Sequence, residues 1–108
     1  MEIDVFISHH TKSSLAITEA VCNSLESKGV RCWYAPRNTE GNYAKSIVDA
    51  IKKCKIFLLI LNKESSYSED VLNEINIAVE RLRQKEEMSF LPFHISNEEI
   101  SSDAKYYL

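Results

Sequence analysis

The sequence is poor in glycine, proline and cysteine, with two glycines, two prolines and three cysteines in 108 residues. Two glycines cannot build a glycine-rich phosphate-binding loop, so the dinucleotide-binding and P-loop motifs are excluded. The cysteines, Cys22, Cys32 and Cys54, are odd in number and lack a C-x-x-C pair, which argues against a disulfide framework and a zinc ribbon. We therefore expect three buried, small apolar residues and no metal site.

Long hydrophobic runs and an excess of basic charge are also missing. The longest apolar run, Ile56 to Leu61, is far shorter than the ~20 residues that a membrane-spanning helix needs, and no signal-peptide pattern opens the chain. The 13 Lys and Arg against 16 Asp and Glu give a net charge of −3, unlike the basic footprint of a nucleic-acid-binding protein. We expect a cytoplasmic domain that binds neither nucleic acid nor a membrane.

What the sequence does contain is an alternation of short apolar runs with amphipathic stretches. Strands are predicted near 3–8, 30–35, 56–61 and 88–93. The stretches between them have apolar residues at helical spacing, and the first places Ile17, Val21 and Leu25 on one face, with Gly29 as a C′ residue. This order predicts an α/β protein with a parallel sheet covered on both faces, in which the run 56–61 is central.

Parallel sheets of this kind bind ligands outside the carboxyl ends of their strands. The segments that follow the predicted strands at this edge begin at Ser8, Ala35, Asn62 and Phe93. We therefore expect the functional site at this edge of the sheet.

Several blocks of the chain stand in a fixed order: DVFIS at 4–8, GVRCWYAPRN at 29–38, IFLLIL at 56–61, VLNEI at 71–75 and LPF at 91–93. Together they resemble the Toll/interleukin-1 receptor (TIR) domain family, with the closest likeness to its bacterial branch. The resemblance implies a flavodoxin-like three-layer sandwich with a parallel sheet in the strand order 2-1-3-4. It makes residues 1–108 a single TIR-like domain.

The C-terminal end departs from the family pattern. Family domains normally continue beyond the fourth strand to a further strand and helix, whereas this chain stops at Leu108. We therefore expect a domain truncated at its C-terminus, with the fifth strand of the sheet missing.

The resemblance implies one of two functions, because many family members cleave the nicotinamide–ribose bond of NAD and others are scaffolds that only self-associate. We expect an NAD nucleosidase that forms ADP-ribose or a cyclic or base-exchanged ADP-ribose, acts in bacterial defence signalling and is activated by self-assembly. NAD is then the substrate, and no cofactor is expected. A non-catalytic TIR scaffold is the alternative, and a nucleoside-processing transferase of similar sheet order is a third hypothesis.

Glu74 matches the position of the family's essential glutamate, in the helix after the third strand. Loss of neutral nicotinamide leaves a ribosyl centre with oxocarbenium character, which a carboxylate stabilises more than it stabilises the ground state. In the transferase hypothesis the same carboxylate is a covalent nucleophile. From the pattern alone, a solvated glutamate on the helix surface is the alternative.

A second departure from the family pattern bears on activity. Family enzymes commonly have an aromatic residue, often Trp, one turn before the glutamate, and this chain has Asp70 there. A second carboxylate raises the proton affinity of one of the two. It also removes a stacking surface, for which Tyr67 is a candidate replacement.

The remaining candidate residues are predicted to bind substrate. They are Ser8, His9, His10, Trp33, Pro36, Arg37, Tyr43 and Tyr67. Some of these substrate-binding roles have an alternative. His9 and His10 are otherwise ordinary loop histidines, and Trp33 and Tyr43 otherwise have packing roles. The loop Pro36–Tyr43 matches the family's BB loop, and we expect it to contact a neighbouring TIR domain. Arg37 binds either the pyrophosphate or that neighbour.

Overall fold

The computed structural model describes residues 3–34, 43–62, 68–84 and 87–95, along which strands and helices alternate. In order they are β1 (Val5–Ser8), α1 (Thr11–Glu26), β2 (Cys32–Trp33), α2 (Tyr43–Lys53), β3 (Ile56–Leu61), α3 (Glu69–Arg83) and β4 (Ser89–His94). The four predicted strands are confirmed, although β2 is 2 residues long and so shorter than predicted. None of the helices in the described ranges is long and apolar enough to cross a membrane.

The four described strands run parallel, in the order β2-β1-β3-β4. Val5 of β1 pairs with Cys32 of β2 and with Ile56 of β3, and Ile56 pairs in turn with Ser89 of β4. One face of the sheet packs against α1, and the other packs against α2 and α3. We call these the α1 face and the α3 face. The predicted α/β class, layer arrangement and strand order are therefore confirmed.

One aromatic residue from each strand lies on the α3 face, and together they form a row across the sheet. Trp33 stacks on Phe6 with ring centroids 5.1 Å apart, Phe6 stacks on Phe57 at 5.4 Å, and Phe57 packs against Phe90 at 5.1 Å. Each neighbouring pair also shares a register position. A slip of one residue would turn a strand's rings to the opposite face, so the row fixes the register as well as filling the core.

α1 packs on its face of the sheet through small residues. Thr18 and Cys22 are fully buried, whereas Ile17 is 39% exposed. The predicted helix face is therefore wrong at Ile17, although Val21 and Leu25 do pack against the core. The buried line of α1 instead contains the small residues Ser14, Thr18 and Cys22, which follow one another at four-residue spacing. The three cysteines are buried and free, as predicted.

The turn after α1 explains one of the two glycines. The Gly29 N–H donates to the Glu26 carbonyl at 3.0 Å, and the Val30 N–H donates to the Leu25 carbonyl at 3.1 Å. This pair of bonds defines a Schellman motif with Gly29 at C′. Gly29 has a φ of +85°, where a side chain would be strained. Its predicted role is confirmed.

Both ends of α3 are held by side chains. Ser68 is the N-cap, and its hydroxyl accepts a hydrogen bond from the Val71 N–H at 3.4 Å. Near the other end Arg81, which is 8% exposed, donates from Nη1 to the carbonyls of Ile51 at 2.6 Å and Cys54 at 2.8 Å. These bonds tie the last part of α3 to the turn between α2 and β3, and so fix α3 over the sheet.

β4 is the most exposed strand. Leu91 and Phe93 are 49% and 51% exposed. Leu58 of β3, which pairs with Leu91, is only half-buried. Its neighbours Leu59 and Ile60 are fully buried, so the prediction that β3 is buried on both faces holds for most of the strand but not for Ile56 and Leu58, which are half-buried.

Candidate functional site

Two polar side chains meet beneath α3, at the carboxyl end of β1. The Ser8 hydroxyl donates to Glu74 Oε1 at 2.6 Å. Ser8 is 1% exposed and Glu74 is 8% exposed. The bond therefore joins the last residue of β1 to the middle of α3 inside the protein, at the edge of the sheet where a ligand was expected.

Two sequence periodicities bring these side chains together. Ser8 follows Phe6 by two residues, so it lies on the same face of β1 and points toward α3. Glu74 is three residues after Val71 and four before Ala78, both of which are fully or almost fully buried, and residues at this spacing share a helix face. Glu74 thus belongs to the buried stripe of α3. The alternative of a solvated surface glutamate is wrong.

Burial controls the ionisation of the Glu74 carboxyl. The pKa of Glu74 is raised to about 7: removal from water is the largest cause, the hydrogen bond from Ser8 opposes it, and the charge of Asp70 adds a smaller increase. Asp70 thus acts in the expected direction, although burial is the larger cause. A carboxyl with this pKa is divided between ionised and protonated forms near neutral pH, and each form has a use in acid–base chemistry.

His9 reaches the same edge from the other face of the sheet. It is 7% exposed, and its ring packs edge-on against Tyr34 with centroids 5.6 Å apart. Within the described residues its Nε2 atom has no hydrogen-bond partner. Burial lowers the pKa of His9, partly offset by a hydrogen bond with the Ile7 backbone. His10, the next residue, is half-buried.

The structure shows no contact between Glu74 and the other predicted ligands that it describes, and three of them lie outside the described residues. Trp33 is 4% exposed and stacked on Phe6 in the core, which favours its packing role over contact with a substrate. Tyr43 is the first residue of α2. The predictions for Pro36, Arg37 and Tyr67, and for the loop between the second strand and α2, fall outside the described part of the chain.

Sequence reasoning missed a group of polar side chains on the α1 face of this edge. Asn62, directly after β3, donates from Nδ2 to Ser14 Oγ at 3.1 Å, and both residues are buried. Thr18 is also buried, and its Oγ1 has no hydrogen-bond partner among the residues described. Ser14 and Thr18 are four residues apart, so they share a side of α1 that lies next to its apolar residues. This spacing was the sequence signal that could have placed them on the buried side of the helix. The residues that the structure describes contain no group of three His, Cys, Asp or Glu side chains that could hold a metal ion.

Solved structures of TIR domains share this fold. The TIR domains of the activated Roq1 resistosome, which directly recognises the pathogen effector XopQ, give a TM-score of 0.76 at 19% identity, over 86% of this chain and 57% of that chain. The TIR domain of the Toll-related receptor TRR-2 from Hydra magnipapillata gives 0.78 at 17% identity, over 96% and 79%. A metazoan TIR-STING receptor from C. gigas gives 0.75 at 22% identity, over 95% and 35%.

Identities this low show the fold alone, and the chain spans 57% of the first of these chains and 35% of the third. The sequence adds the family. A family model described as TIR domain matches residues 5–107, so the chain belongs to the TIR domain family. No curated protein matches it.

Proposed function

We propose that this TIR domain is an NAD nucleosidase. It cleaves the bond between nicotinamide and ribose, and a nucleophile then bonds to the ribose carbon. Water gives ADP-ribose, a group of the same molecule gives a cyclic ADP-ribose, and another base gives an exchanged product. The observation that carries the proposal is the buried carboxyl of Glu74, held by Ser8 at the carboxyl edge of the sheet. This is the residue type and position that the family resemblance associates with catalysis.

The chemistry suits a single carboxylate. Nicotinamide leaves NAD as a neutral molecule, so the ribose carbon becomes cationic without an obligatory general acid. An ionised Glu74 beside that carbon stabilises the cation, and because the side chain is already fixed and shielded from water, it reorganises little during the reaction. With a pKa of about 7, a substantial fraction of Glu74 is ionised at neutral pH. NAD is the substrate, and the step needs no further cofactor.

The remaining contacts to NAD are proposed from position. His9 and His10 directly follow Ser8, so they lie at the same edge, and the buried His9 Nε2 atom has no partner among the described residues. Arg37 remains a predicted ligand for the pyrophosphate and Tyr67 a predicted stacking surface. Pro36 and Tyr43, at the two ends of the predicted BB loop, also remain predicted substrate ligands.

We further propose that association between TIR domains through the loop Pro36–Tyr43 activates the enzyme, as part of cytoplasmic defence signalling in bacteria. Structural neighbours include a resistosome and two receptors. If only the associated form is active, mass action makes specific activity rise with protein concentration. Arg37→Glu reverses a charge in this loop and should abolish that rise. Constant specific activity across a wide dilution series of the parent would contradict the activation.

A non-catalytic TIR scaffold is the second candidate function. The observation that favours it is Asp70, which stands where family enzymes commonly have an aromatic residue and which raises the pKa of Glu74. A scaffold would associate with other TIR domains without changing NAD.

The deciding experiment incubates purified, concentrated protein with NAD and measures nicotinamide release by chromatography. Glu74→Gln should reduce the rate of release by ~10²–10³-fold, because the amide keeps the shape but not the charge. Glu80→Gln is the matched control, since Glu80 lies on the same helix, 58% exposed, in a surface pair with Arg83. No release by the parent at any concentration would favour the scaffold. A ribosyl adduct on Glu74 in the intact mass spectrum would favour the transferase.

A further inference from the structure

The contacts of Ser8 differ from those of a typical substrate ligand. Its side chain is almost completely buried, and its hydroxyl donates to Glu74 Oε1 at 2.6 Å. A hydroxyl has one proton to donate, and in this structure that proton is committed to the carboxyl group. Ser8 therefore has no free donor for a bound nucleotide unless its bond with Glu74 breaks.

The carboxyl group of Glu74 is held at one oxygen. Oε1 accepts the bond from Ser8, whereas Oε2 makes no hydrogen bond to any residue that the structure describes. Glu74 also retains 8% exposure. The arrangement thus fixes one carboxyl oxygen and leaves the other for a ligand.

We propose that Ser8 is a positioning residue: its hydroxyl fixes the orientation of Glu74 and stabilises the ionised carboxylate, so that Oε2 is presented to the ribose of the substrate. This inference rests on the proposed function, since it concerns the same reaction. It replaces the role of Ser8 as a direct substrate ligand.

The surroundings of Glu74 make the hydrogen bond from Ser8 important. Burial and Asp70 both favour the protonated carboxyl, and Ser8 opposes them. The strands beneath Glu74 present apolar side chains on this face, including Phe6, Leu59 and Leu61. Of the charged residues described on α2 and α3, Asp70 is the one that acts on the pKa of Glu74. In this part of the chain Ser8 is therefore the group that favours the active, ionised form.

The test compares Ser8→Ala with Ser8→Thr, which retains a hydroxyl, and with Ser89→Ala, which alters an exposed serine of β4. The pKa of Glu74 is followed by ¹³C NMR of its side-chain carboxyl, with Glu74→Gln identifying the resonance. Ser8→Ala should raise that pKa. Below the pKa the ionised fraction falls about tenfold for each unit by which the pKa rises. A rise of about one unit should therefore lower kcat/KM for NAD about tenfold at pH 6 and much less at pH 9. The loss in Ser8→Ala should lie in kcat. Ser8→Thr should have most of the parental kcat, and Ser89→Ala should match the parent.

Two results would overturn the inference. A rise in KM with an unchanged Glu74 pKa would make Ser8 a substrate ligand, and a loss of thermal stability alone would make its role structural. The NMR titration also separates this inference from the proposed function. If the parent does not cleave NAD but Ser8→Ala still raises the pKa of Glu74, the nucleosidase proposal fails while the control of Glu74 by Ser8 stands.

Discussion

The two faces of the sheet bury titratable side chains in contrasting ways at one edge. On the α3 face, Glu74 is buried beside the Ser8 hydroxyl that donates to it. On the α1 face, His9 is buried against the ring of Tyr34, and its Nε2 has no partner in the described ranges. Burial favours the neutral form of both groups, so it raises the pKa of Glu74 and lowers that of His9. Each group also has one hydrogen bond that opposes burial: Glu74 has it from the side chain of Ser8, and His9 has it with the backbone of Ile7.

This contrast arises from two consecutive residues. Ser8 and His9 are neighbours in sequence, yet they serve opposite faces because successive side chains of an extended chain alternate. One short segment thus supports an ionisable acid on one face and places a neutral imidazole on the other. Near neutral pH this pair supplies no fixed positive charge for the phosphates of NAD. Under the nucleosidase proposal other groups must hold the phosphates, and Arg37 is the predicted cation among them.

The largest expected effect comes from removing the charge on the α3 face. Glu74→Gln should lower kcat for NAD cleavage by ~10²–10³-fold, the usual loss for one electrostatic contact to a transition state. The effect should appear in kcat more than in KM, because the charge matters most when the ribose becomes cationic. Steady-state kinetics over a range of NAD concentrations provides the measurement. A variant that retains the parental kcat would remove Glu74 from the mechanism.

Two neighbouring residues of β3 allow the contribution of each face to stability to be compared. Leu59 is fully buried on the α3 face, and Leu59→Ala should destabilise the fold by ~2–5 kcal/mol. Leu58 is half-buried on the α1 face, so Leu58→Ala should cost about half as much. Urea denaturation of both variants measures the difference. Equal losses would mean that Leu58 is as well covered in solution as Leu59.

The dependence of stability on pH should reveal the burial of Glu74. The pKa of Glu74 is about 7 in the folded protein, and the ordinary value of 4.5 applies to the unfolded chain. The folded protein therefore binds the proton more tightly than the unfolded chain. The resulting stabilisation is fully present below pH 4.5 and is lost as pH rises through about 7. At ~1.4 kcal/mol per pKa unit, the loss is about 3 kcal/mol.

Glu74→Gln separates this loss from the titration of other groups. The amide cannot ionise, so the variant should be about as stable as the parent near pH 4.5 and more stable at pH 8.5, by about 3 kcal/mol. Urea denaturation of both proteins across this pH range tests the difference. Parallel stability curves would show that Glu74 titrates normally and is therefore not buried.

The sequence predicted the layers better than the details of the site. Strand positions, strand order and the role of Gly29 follow from local periodicity, from turn chemistry and from the family resemblance. The burial of Glu74 could also have been found, because Glu74 shares a helical spacing with Val71 and Ala78. The hydrogen bond from Ser8 could not, since it joins residues 66 positions apart in the sequence.

The α1 face shows why hydrophobicity alone misplaced part of a helix. Ile17 is more apolar than Thr18, yet Ile17 is 39% exposed and Thr18 is fully buried. Packing across the whole layer decides which side of a helix faces the sheet, and the local hydrophobic pattern of α1 does not show that side. Trp33 illustrates a related limit, because its place in the row of stacked rings depends on three other strands.

The smallest expected effect concerns His9, the titratable residue of the α1 face. His9→Phe keeps a ring against Tyr34 and removes an Nε2 atom that has no partner in the described part of the chain. It also removes the hydrogen bond with the Ile7 backbone. These changes oppose each other, so stability at pH 8 should change by about 1 kcal/mol or less.

Lower pH should bring out the difference, because the folded protein resists protonation of His9. Its pKa lies below the ordinary 6.5, so the parent loses stability as pH falls below that value, whereas His9→Phe does not. Denaturation at pH 8 and pH 5.5 should therefore show that the free energy of unfolding of His9→Phe, relative to that of the parent, is higher at the lower pH. His94→Phe, at an exposed position of β4, is the control. An unchanged difference between the two pH values would show that His9 protonates freely in the folded protein. It would also mean that burial favours the neutral form of a titratable side chain on the α3 face, at Glu74, but not on the α1 face.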